Sequence, residues 1–189
     1  MARVNEDLAF IRAVVEGSRR AASVDAMPLI VWGLLTVAGI ALVYTVPWLD
    51  SVYFWLAVIG LAWAYTLVRA VRRRRSDTVA WFAGHALAVL WLATLAGMTL
   101  AGFVGYFSGS LPAAAITPVI AAFFGMGVTA SGALLGGRWI AWVGGLWWLS
   151  AAIIFYAPAP ARLAIFGGAV LLLLVVPALV IHRRWPADV

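Results

Sequence analysis

Sixty consecutive residues, Thr78 to Gly137, contain no aspartate, glutamate, lysine or arginine. A soluble domain carries about one charged residue in four, so a run this long has no face it can turn to water. One crossing of a hydrocarbon core takes about 20 residues. The run is therefore read as two crossings, divided by the turn-forming "FSGSLP" at 107–112.

The pattern recurs along the rest of the chain. Ala26–Leu49 supplies 24 residues without a charge, Ser51–Val68 supplies 18, Trp139–Ala161 supplies 23, and Leu163–Ile181 supplies 19. With 189 residues, 66% of them apolar and 11% charged, the chain has more apolar surface than a globule of its size can enclose. The expected fold class is an all-α integral membrane protein, a six-transmembrane-helix bundle preceded by an N-terminal amphipathic cytoplasmic helix. The expected spans are about 28–48, 52–71, 79–105, 113–135, 139–157 and 163–182. Residues 1–25 form the leading segment, 26–182 the membrane domain and 183–189 a short tail.

Arginine placement predicts the orientation. With six spans both termini lie on one side. That side receives twelve of the thirteen basic residues, and Arg162 alone falls on the other. Cytoplasmic loops carry the excess of positive charge, so both termini are expected in the cytoplasm of a cell (inner) membrane. The cluster Arg69, Arg72, Arg73, Arg74 and Arg75 is expected to fix topology and to meet anionic lipid headgroups. Binding of nucleic acid is not expected, because no broad basic surface with interleaved aromatics lies outside the spans.

In the leading segment, Val4, Leu8, Ile11 and Val15 recur on one helical stripe, and Asn5 precedes Glu6 and Asp7 as an N-cap before an acidic first turn. This stripe is expected to lie on the membrane surface or on the protein's own cytoplasmic face, or to be the face that meets a protein partner.

Lipid gives helices little hydrophobic reason to associate, so small residues and hydrogen bonds must do it. Gly97, Ala101 and Gly105 recur at steps of four in the third span, and Gly125, Thr129 and Ala133 in the fourth. These ridges predict a tight hairpin of the third and fourth spans, with self-association through one of them as the alternative.

No catalytic constellation is legible. The spans hold no carboxylate that could bind a coupling cation. Two histidines without cysteine do not compose a usual zinc shell, and without lysine no Schiff base forms. No cofactor, metal or catalytic residue is expected. His85, roughly 10 Å into the third span, and Thr99 are the candidates for substrate contact or for polar packing between helices. The tryptophans of "WVGGLWWL" at 142–149 are read as interface anchors near Arg138.

These observations predict a non-enzymatic accessory, scaffold or regulatory subunit of a membrane complex, with a membrane or cytoplasmic protein partner or self-association. In size and span count the chain also resembles the substrate-binding subunits of energy-coupling-factor transporters. That likeness of architecture implies a small-solute uptake module and carries over no individual residues.

Overall fold

The computed structural model describes residues 26–74 and 82–184. Residues 1–25, including Val4, Leu8, Ile11 and Val15, lie outside the described residues, as do Arg75 and the last five residues. The side chains of Arg73, Arg74 and His85 do so as well.

Among the described residues the chain is all-helical, with six helices long and apolar enough to cross a membrane. They are α1 (Met27–Thr45), α2 (Val52–Arg74), α3 (Phe82–Thr99), α4 (Ala113–Leu135), α5 (Arg138–Tyr156) and α6 (Ala159–Val170). Helix α3 continues through a π turn at Leu100–Val104 into Gly105–Phe107, and α6 through a π turn at Leu171–Val175 into Val176–Arg184.

Helix ends follow local chemistry. Pro28 sits in the first turn of α1, where a missing amide costs nothing. Asp50 accepts the Trp55 indole N–H at 3.2 Å in the turn before α2, and the Ser51 hydroxyl accepts the Phe54 amide at 3.3 Å. Helix α4 stops at Gly136, whose φ of 66° favours glycine, and the Gly137 amide returns to the Gly132 carbonyl at 3.0 Å. That two-residue stop sends α5 straight back along α4.

The consequence is the closest helix contact in the bundle. A Cβ added to Gly132 would stand 2.6 Å from the Ala141 amide nitrogen, and one added to Gly144 would stand 2.8 Å from the Thr129 amide nitrogen. Only backbones without side chains between them approach this far. Gly125, Thr129 and Gly132 of α4 therefore face α5, while Gly127 of the same helix faces Thr94 of α3. Helices α3 and α4 are joined by a longer turn and meet through side chains, a Cβ on Gly97 standing 2.9 Å from Phe123 Cε1 and one on Gly127 standing 3.2 Å from Thr94 Cγ2.

The core lies where α4, α5 and α6 meet. Phe124 stacks on Trp147 with centroids 4.7 Å apart, and Phe166 sets its edge against Trp147 at 6.2 Å. Trp147 is completely buried there with Ile154 and Val170. It stands nine positions, about 14 Å, along α5 from Arg138. It is thus a core residue and not an interface anchor, whereas Trp142 is 75% exposed. Helix α2 is the outlier, burying chiefly Ala62 against Trp32 and Leu95.

Candidate functional site

The polar chemistry inside the bundle is concentrated in indole N–H groups and in the hydroxyls and carbonyls that receive them. An indole only donates, so a buried one requires an acceptor. The Trp32 indole of α1 donates to Thr66 Oγ1 of α2 at 2.9 Å. That of Trp63 in α2 donates to Thr99 Oγ1 of α3 at 3.1 Å, and that of Trp91 in α3 to Ser131 Oγ of α4 at 3.0 Å.

Each hydroxyl is prepared for this role by its own helix. Thr66, Thr99 and Ser131 donate to the carbonyls of Ala62, Leu95 and Gly127, four residues back, at 2.9, 2.8 and 2.7 Å. The proton is then committed and the lone pairs are turned outward. Thr99, the sequence candidate for solute contact or packing, is bonded on both counts.

The remaining seams use backbone acceptors. Trp148 of α5 reaches back to the Ala122 carbonyl of α4 at 3.3 Å, its ring lying over Gly125, while its neighbour Trp147 reaches forward to the Leu173 carbonyl of α6 at 3.3 Å. Successive residues on a helix point about 100° apart, so one Trp-Trp pair joins α5 to both flanking helices. The Tyr44 hydroxyl of α1 donates to the Pro160 carbonyl of α6 and closes the circuit.

Two of the acceptors trace to proline. In an α-helix the amide that bonds Leu173 would come from residue 177, and the one that bonds Ala114 from residue 118; both are proline and have none. Trp147 serves the first carbonyl. Arg162 serves the second through Nη1 at 3.2 Å, while its Nε serves Ala157 at 2.9 Å.

One buried group stands apart. Thr129 Oγ1 is buried without a hydrogen-bond partner, and it faces the spot where Gly144 would carry a Cβ. The Gly144 hydrogen occupying that spot points at the oxygen, a weak Cα–H···O contact of the kind found where helices touch.

The other sequence candidates are dispersed. Gly105 packs on Leu111 of its own turn, Ala101 is half-buried and Ala133 is exposed. His85 lies on the first turn of α3. Among the described residues no group of histidine and carboxylate side chains could hold a metal ion. At the far end of α2, Arg69 is half-buried and Arg72 exposed. There Leu67, Val68, Val71 and Arg72 line an open groove of about 400 Å³.

Sequence reasoning does not reach the proline-linked acceptors or the indole circuit, though a signal for the first exists: an internal proline marks the carbonyl four positions earlier as needing a donor. No protein-family model, curated protein or solved structure matches the chain.

Proposed function

We propose that the chain is a non-enzymatic polytopic inner-membrane protein that serves as an accessory, scaffold or regulatory subunit of a membrane complex. Both termini and the arginine cluster lie in the cytoplasm in this reading. The observation that carries it is the use of the bundle centre. Where a carrier would keep room for its solute, the meeting point of α4, α5 and α6 is occupied by the packed rings of Phe124, Trp147 and Phe166. The indoles that join the helices already have acceptors within the bundle. In this reading the partner is met by the stretches beside the spans, where the sequence places the stripe Val4, Leu8, Ile11 and Val15 and most of the arginines.

The test is mild solubilisation of the full chain from its native membrane, followed by native mass spectrometry. A protein that copurifies in fixed ratio and is lost on deletion of residues 1–22, with the thermal unfolding of the bundle unchanged, is the expected result. A small molecule carried through purification without a protein would replace this reading with solute uptake.

A further inference from the structure

We propose that the groove at the end of α2 is a binding site for one anionic phospholipid, with the phosphate on Arg72 and an acyl chain along Leu67, Val68 and Val71. Depth is the first argument. From Val52 to Arg72 is twenty residue steps, a rise of about 30 Å, which equals the thickness of the hydrocarbon core. The Arg72 guanidinium therefore comes level with the phosphates. Val68 and Leu67 stand about 6 to 7.5 Å deeper by the same rise per residue, within the acyl region.

Shape and exposure point the same way. The groove is open outward, and Leu67, Val68 and Val71 are 55%, 52% and 56% exposed. Helix α2 is also the least buried span, so the surface beside the groove is available to lipid. Charge selects among lipids. A guanidinium offers paired N–H donors that match two phosphate oxygens, and Arg72 sets a positive potential around them. A zwitterionic headgroup would bring a second cation into that potential; an anionic one brings only the phosphate.

This site is independent of the subunit reading, and its test does not require a protein partner. The full chain is reconstituted in vesicles of equimolar phosphatidylcholine and phosphatidylglycerol, re-extracted in mild detergent and weighed by native mass spectrometry. One phosphatidylglycerol per chain is expected to remain. Arg72→Gln should reduce its retention about fivefold, and Arg72→Lys should restore part of it. Four arginines of the cluster stay in place in both variants, so orientation is preserved. Val68→Trp, which fills the groove without touching charge, should displace the lipid as well, while Arg183→Gln should not.

Several results would overturn the proposal. Equal weakening by Arg183→Gln means diffuse attraction by the whole basic end. Equal retention of phosphatidylcholine means apolar adhesion alone. Displacement by inorganic phosphate at the same concentration means a free-anion site. A two-chain species in place of the lipid adduct, dissolved by Val68→Trp, means that a second copy covers the face. Loss of all lipid on re-extraction means there is no site.

Discussion

The indole nitrogen of Trp147 lies 3.3 Å from the carbonyl oxygen of Leu173, four residues before Pro177. The proline removes the amide that an α-helix would offer this carbonyl, the helix widens into a π turn over Leu171–Val175, and an indole from α5 supplies the donor. Sequence-local chemistry on one helix thus specifies which helix packs beside it. Trp147→Phe should lower stability by about 1–3 kcal/mol, the cost of leaving a buried acceptor unmade. In a Pro177→Ala background an amide is available again, and the same change should cost less. Reversible unfolding in detergent of the four members of this double-mutant cycle measures the coupling; strict additivity would show that the two residues act separately.

Gly144 and Gly145 are adjacent and should respond in opposite ways to alanine. A Cβ at 144 would enter the Thr129 backbone, whereas one at 145 meets nothing within 4 Å. Gly144→Ala should destabilise by about 1–3 kcal/mol through forced separation of α4 and α5. Gly145→Ala should be neutral or mildly stabilising, by less than about 1 kcal/mol, because alanine is the better helix former. Paired thermal melts in the same detergent decide it.

Thr129→Val should stabilise the bundle. The hydroxyl is buried without a hydrogen-bond partner, and burying it carries a penalty of about 1–3 kcal/mol. The Cα–H···O contact to Gly144 returns only about 0.5–1 kcal/mol. Desolvation of the hydroxyl therefore outweighs the contact it makes, and valine keeps the β-branched outline with a methyl only slightly larger than the hydroxyl. A lower unfolding midpoint for the variant would mean that the oxygen holds α4 to α5 after all.

Thr99→Val should loosen α2. It deletes the acceptor for Trp63 while leaving the volume unchanged, and intramembrane bonds of this kind average about 0.6 kcal/mol. Thr99→Ser should behave as wild type. Hydrogen exchange should rise in α2 amides for the valine variant and stay unchanged in α4 and α5, which the lost bond does not touch.

The spans are legible in the sequence because lipid penalises charge so heavily that charge-free runs delimit them. Asp50, the arginine cluster, "FSGSLP", Arg138 and "APAPA" therefore read as boundaries. Which faces meet is less legible. Gly125 and Thr129 announce a close contact but not its partner. That choice is made by the Gly136–Gly137 stop, which returns α5 at once along α4. The seam at Trp63 and Thr99 depends on the rotation of two helices about their axes, and spacing along one chain does not encode it. Trp147 escapes a sequence reading for a simpler reason. Tryptophan marks both lipid interfaces and cores, and the two are separated here by which face of α5 turns inward, since Trp147 is buried and Trp148, its neighbour, is exposed.

The indole bonds run in chain order, α1 to α2, α2 to α3, and so on to α6. A chain inserted from its N-terminus would find, for each emerging helix, a polar partner on the helix just before it. No indole would need to wait in lipid for a distant segment. The Tyr44 hydroxyl is the exception, because its acceptor at Pro160 arrives 116 residues later. Assembly of this bundle therefore resembles a clasp: four links form before the last helix emerges, and its arrival adds the fifth at Leu173 and lets Tyr44 of the first helix fasten the ends together.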